Sequence, residues 1–225
     1  MITMPALIIR APFAVATVSG VPVSKKRVFK QIECRGRNYR TAYRGAVAIF
    51  ASRNRDPEDD HIIADVIALN SGRKRATAAD ERAARSYCAA TFTKWRYQLA
   101  GFIRLFGVVT ADQAAQASKA DFHELHVQAF DVNEAWQVEA YLAIEPLHAL
   151  AEPGPEFTSA CHGCLTGINY LTGTAHKAVA NHVGWQFVDL DVPAAISAEV
   201  GSWPPSSQMN KPRLQSTVIS DHEVL

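Results

Sequence analysis

The feature that most limits how this chain can fold is a set of short apolar runs, widely separated and interrupted by an alanine-rich stretch. Residues 5–9 (PALII) and 46–51 (AVAIFA) are continuously apolar, so neither can leave one face in water, and each reads as a buried strand. Residues 101–109 (GFIRLFGVV), 136–144 and 185–190 also have strand character. Between the second and third runs, 56–70 and 77–97 are helical in composition, with Ala83, Tyr87, Ala90 and Trp95 at helical intervals and Gly72 as the break. The first run ends in Arg10-Ala11-Pro12-Phe13. Proline's fixed φ suits a first helical turn, so a brief helix is expected over 13–18, closed by Gly20. Thr110, with Gln113 as its capping partner, predicts a short helix to residue 120. Asp191-Val192-Pro193 predicts another, running to Val200, and the residues from Gly201 onward read as an extended or disordered tail. Strands this far apart, with helices between them, predict an α+β chain built on a closed or nearly closed small barrel.

Charge is distributed unevenly. The 225 residues are 48% hydrophobic and 20% charged, which suits a folded domain with a sizeable core, and the net charge is only +1. Yet residues 24–55 hold Lys25, Lys26, Arg27, Lys30, Arg35, Arg37, Arg40, Arg44, Arg53 and Arg55 against Glu33 alone. That window carries about +9 and leaves the remainder at about −8. A positive field this concentrated attracts phosphate, although basic loops are also often merely solvated.

Other chemistry finds less support. No stretch approaches the ~20 apolar residues that span a bilayer, and no secretory leader is expected from the first residues. Four cysteines in a chain of this length do not make a disulfide scaffold, so a reducing, cytoplasmic setting is expected. Cys161-His162-Gly163-Cys164 has the spacing of a zinc knuckle, and His148, His162 or His176 could complete a set with Cys161 and Cys164. A second knuckle is missing, and a structural loop is the expected reading. The segment from Phe122 to Val127 holds His123 and His126 without the H-E-x-x-H spacing of a zinc protease. No P-loop, nucleophile elbow or dinucleotide fingerprint occurs, so no cofactor is expected.

Lys30-Gln31-Ile32-Glu33-Cys34-Arg35 is the most chemically suggestive segment. On an extended backbone Glu33 and Arg35 project to one face, and Lys30 to the other unless a turn intervenes. An acid flanked by cations stays ionised and can orient Arg35 towards a phosphate or a base edge. The same residues could equally form a surface ion-pair cluster of little energetic weight. Tyr43, Arg44 and Ser52 offer an aromatic face, a cation and a hydroxyl beside them, while Tyr39 and Tyr43 could instead serve packing. Arg10 either projects into a ligand cleft or caps the barrel rim.

Several short stretches, in order, resemble ASCH domains of the PUA-like superfamily. They are Ile9-Arg10-Ala11-Pro12-Phe13-Ala14, then Lys30 to Arg35, then Tyr43-Arg44-Gly45, then Ile49-Phe50-Ala51-Ser52. Gly101-Phe102-Ile103 with Gly107-Val108-Val109, and the tryptophan-containing stretch 136–147, match more loosely. Gly20 lies ten residues before Lys30, where the family has two, so either 21–29 is an inserted loop or Lys30 is not the equivalent lysine. The resemblance covers 5–55 well and 100–172 weakly. It implies a PUA-like barrel over 1–175, with 56–97 as a helical insertion and 176–225 as a C-terminal extension. It further implies binding of RNA, another nucleic acid or a nucleotide-like small molecule by Arg10, Lys25, Lys26, Arg27, Arg35, Tyr43, Arg44 and Ser52. Some relatives of this kind are similar to amidohydrolases acting on acylated cytidines through a lysine, a threonine three residues later and a distant glutamate. Lys30 and Glu33 are then the candidate catalytic pair, with Glu33 standing in the threonine's place. A nuclease or a protein-interaction scaffold formed by the insertion are the remaining alternatives.

Overall fold

The structure, a computed structural model, describes residues 1–35, 43–109, 140–157 and 186–201. The first apolar run is strand β1 (Ile2–Ile9), and Pro12 starts helix α1 (Ala11–Val18) directly after it. All eight residues of α1 are buried. A helix that is apolar all round cannot lie on a surface. It is accordingly enclosed, touching α3 (Ala78–Trp95) as well as strands β5 (Gly45–Ala51), β6 (Leu99–Val109) and β7 (Ala140–Ala149).

β5 runs parallel to β1, pairing Ala6 with Ala48 and Ile9 with Ala51. β6 is antiparallel to β5, β7 to β6, and the short β4 (Ile32–Arg35) to β7. The late strand β8 (Gln186–Leu190) adds antiparallel to β1, giving the order β4-β7-β6-β5-β1-β8. Residues before and after the helical stretch thus meet in one sheet. Helix α2 (Glu58–Asn70) and α3 pack together, as the alanine-rich segment predicts.

β5 has no polar side because both its faces are covered. Val47, Ile49 and Ala51 enter a core with Leu7, Phe13, Ile63, Cys88 and Trp95. Ala46, Ala48 and Phe50 enter a second core with Met4, Phe102, Phe157, Val188 and Ile196. Ile196 belongs to α4 (Ala194–Ala198), whose following turn docks on β5: the Ala46 amide donates to the Glu199 carbonyl at 2.8 Å. Gly45, at φ +139°, permits that approach, because a Cβ there would sit 2.6 Å from the Glu199 carbonyl oxygen. The described part of the C-terminal segment is therefore built into the sheet rather than trailing from it. The expected boundary at 175/176, the helix over 110–120, residues 136–139 of the predicted strand and the tail beyond 201 lie outside the described residues.

The α+β expectation holds, but the sheet is not closed. Among the described residues its edges, β4 and β8, do not pair with each other. A side chain spans the gap instead: Arg35 on β4 donates from Nη2 to the Ile8 carbonyl on β1 at 2.7 Å. Ile8 lies beyond Ala6, the last β1 residue that β8 covers. The sheet curls far enough for one guanidinium to reach across where a closed barrel would have backbone bonds.

Candidate nucleic-acid interface

The segment expected as a basic loop is a β-hairpin. β2 (Val21–Val23) pairs antiparallel with β3 (Lys26–Val28), and the connecting Ser24-Lys25 turn takes Ser24 to φ 54°. Val21 and Val23 are buried in the core beneath α2, which leaves Lys25, Lys26 and Arg27 exposed. Gly20, at φ +73°, lets the hairpin fold back closely, since a Cβ there would meet the Arg27 Cβ at 2.9 Å. Arg27 then donates from Nη1 to the carbonyls of Ser19 and Gly20, at 3.0 and 3.2 Å, just past the end of α1. These carbonyls have no helical partner, and a cation at a helix C-terminus also suits the helix dipole. Lys26 reaches sideways, donating to Asn70 Oδ1 at the end of α2 (3.2 Å). Among the described residues, none of the three cations has a carboxylate partner.

A second basic triplet, Arg73-Lys74-Arg75, follows α2 directly. Gly72, at φ +78°, turns the chain, and the Arg73 amide donates to the Ala68 carbonyl at 2.9 Å. The start of α3 is a capping box: the Asp80 amide donates to Thr77 Oγ1, and Asp80 Oδ2 accepts from the Thr77 amide and hydroxyl. Those hydrogen bonds, with the Arg73 guanidinium at 2.5 Å from Oδ1, hold the Asp80 carboxyl below its ordinary range. Lys74 and Arg75 are exposed. The run of three cations was visible in the sequence, but its position beside the hairpin was not.

Lys30, Glu33 and Arg35 come together, buried or partly buried rather than exposed. Glu33 and Arg35 share a face of β4, as period two requires, and Arg35 Nε lies 2.7 Å from Glu33 Oε1. Lys30 precedes the strand in an irregular segment, from which its ammonium reaches Glu33 Oε2 and the Ile32 carbonyl. The Lys30 side chain is 0% exposed and that of Glu33 5%, so this is a buried ion pair with Arg35 at its rim. In this arrangement each charge is spent on the other.

Arg10 sits at the end of β1, with Nη1 at 2.7 Å from Asp56 Oδ2 and 2.8 Å from Asp59 Oδ1. Its guanidinium also lies 5.0 Å from the centre of the Phe13 ring. Asp59 is fully buried in the first turn of α2, and neither carboxyl oxygen receives a well-aligned hydrogen bond. Burial raises its pKa to about 6, Arg10 opposes that rise, and Asp56 and Asp60 add to it.

The other candidate residues point elsewhere. Tyr43 is buried, donating its hydroxyl to the Ala46 carbonyl at 2.6 Å and accepting from the Gly201 amide at 3.3 Å, so it packs rather than stacks. Arg44 is exposed and donates to the Tyr43 carbonyl, and the Ser52 hydroxyl donates to the Asn54 carbonyl at 3.2 Å. Tyr39, Cys161 and Cys164 lie outside the described residues. Among those described, Cys34 and Cys88 are buried, no group of side chains is arranged to hold a metal, and no helix is long and apolar enough to cross a membrane. A scan against protein-family models finds no match for the chain, a search of curated proteins finds no significant similarity, and the ASCH resemblance therefore rests on the ordered motifs alone.

Proposed function

We propose that this protein binds nucleic acid, RNA in the first instance, by contacting the phosphate backbone through Lys25, Lys26 and Arg27. One observation carries the reading: these exposed cations stand on a short hairpin anchored by buried valines and have no carboxylate partner among the described residues. Exposed cations that no carboxylate neutralises are what phosphate contact needs. Lys30, Glu33 and Arg35 then serve the fold, holding β4 against β1. The PUA-like barrel belongs to the same proposal, supported by the curled sheet and by the Arg35 bridge across its two ends. A hydrolytic role for Lys30 and Glu33 finds no favouring geometry, because a general base must be free to take a proton and the two neutralise each other out of water.

The expected result is a salt-sensitive association with a labelled single-stranded RNA. In fluorescence anisotropy, log affinity should fall with log salt, with a slope of about −2 or steeper, since three phosphate contacts alone give about −2. RNA recovered afterwards should be chemically unchanged. Absence of binding at low salt, or affinity indifferent to salt, would remove the proposal.

A further inference from the structure

We infer that Lys74 and Arg75, with Arg73 behind them, complete the hairpin's phosphate-binding surface, so that one nucleic-acid backbone is held by two basic segments rather than one. The inference rests on the reading above and specifies what it takes: a run of consecutive phosphates, bound without regard to base.

The juxtaposition is made by Asn70. Its Oδ1 accepts from Lys26 Nζ, and its Nδ2 donates to the Val66 carbonyl at 3.0 Å, which fixes the amide as a bracket between hairpin and helix end. The residues so joined lie 44 apart in sequence. Gly72 turns the chain immediately after Asn70 and Ser71, so Arg73-Lys74-Arg75 leaves α2 from the point where Lys26 is tied. The loop is braced at its other end by Arg73, held on Asp80, whose carboxylate also caps α3. That acid is therefore occupied within the loop. Glu81 is exposed beside it in the first turn of α3, while Lys74 and Arg75 have no carboxylate partner among the described residues.

Orientation supports the same ligand. The ends of α1 and α2 would repel phosphate through their free carbonyls. Arg27 takes the Ser19 and Gly20 carbonyls, and the Ser71 and Arg73 amides take those of Ile67 and Ala68. The cations then face the solvent over neutralised helix ends. No aromatic side chain is exposed among the described residues of either segment, 21–28 or 71–77, so the surface offers charge to a backbone and no stacking platform to a base.

The test uses the full chain in three forms: wild type, K25E/K26E/R27E, and K74E/R75E, which spares Arg73 and its cap. A mixed-sequence single-stranded RNA is titrated at several salt concentrations, and urea denaturation checks that each variant remains folded. K74E/R75E should bind about tenfold or more weakly, and its salt slope should be shallower by about one unit or more. The hairpin variant should weaken binding in the same manner, and a homopolymer RNA should rank the three proteins identically. If the hairpin variant loses affinity while K74E/R75E keeps the wild-type affinity and slope, the second segment is outside the interface and this inference is overturned alone. If wild type does not bind the RNA, the functional reading fails and the inference with it.

Discussion

Replacing Glu33 with alanine is expected to cost about 3–5 kcal/mol of folding stability, the largest effect of any single polar substitution at the candidate sites. The carboxylate answers two cations, Lys30 at one oxygen and Arg35 at the other, and its removal leaves the fully buried Lys30 ammonium with only the Ile32 carbonyl. An unpaired charge with no access to water is far costlier than the pair itself is favourable. The double variant Lys30→Met, Glu33→Leu should therefore recover much of the loss, since removing both charges also removes the desolvation they suffer. Arg35 would keep the Ile8 carbonyl and, at 21% exposure, reach water for the rest. Urea denaturation of the two variants checks both statements. A Glu33→Ala protein within about 1 kcal/mol of wild type would show that the pair is solvated, as exposed ion pairs are worth no more.

The second large effect concerns Asp59 and has a defined sign. Burial raises its carboxyl from 3.8 to about 6, more than Arg10 can offset. Between about pH 4 and 6 the folded protein holds a proton that the unfolded chain has released, so the unfolding free energy falls as pH rises. The penalty is absent below the unfolded pKa and complete above the folded one; two pH units correspond to about 3 kcal/mol. Asp80, shifted downward, acts only at lower pH, where its stabilisation is lost by protonation. Asp59→Asn should thus match wild type near pH 4 and exceed it by about 3 kcal/mol at pH 7 in paired denaturation curves. An Asp59→Asn protein less stable than wild type at pH 7 would mean that the Arg10 contact outweighs burial.

Long apolar runs made much of this fold legible. The run now in β5 was too continuous to face water, and both its faces are covered; proline after β1 opened α1 where its fixed φ allows. The β2–β3 hairpin escaped because each strand has only three residues, too few for alternation to show, and its turn has Ser24 at positive φ where glycine or asparagine would have advertised it. The link across the open sheet was illegible for another reason: it depends on Arg35 meeting Ile8, 27 residues away, through a carbonyl that no side-chain pattern reports. For the site, the order of charges in 30–35 disclosed a Glu33–Arg35 pairing, but burial inverted its meaning, from a ligand-facing cluster to an internal brace. Asp59 looked like any acid in a first helical turn, and only the packing of α2 on the core makes it costly. Arg73-Lys74-Arg75 was plain as a run and mute as a surface until the fold set it beside Lys26.

The proposed polyanion contact belongs to the two outer basic segments, while Lys30, Glu33 and Arg35 form a buried structural cluster. Photo-crosslinking the wild-type protein to single-stranded RNA, with mass-spectrometric mapping of the attached peptides, locates the contact directly. Crosslinks are predicted in peptides from 21–28 and 71–77; crosslinks confined to 30–35 and Arg10 would place the contact on the buried cluster instead and overturn the proposal.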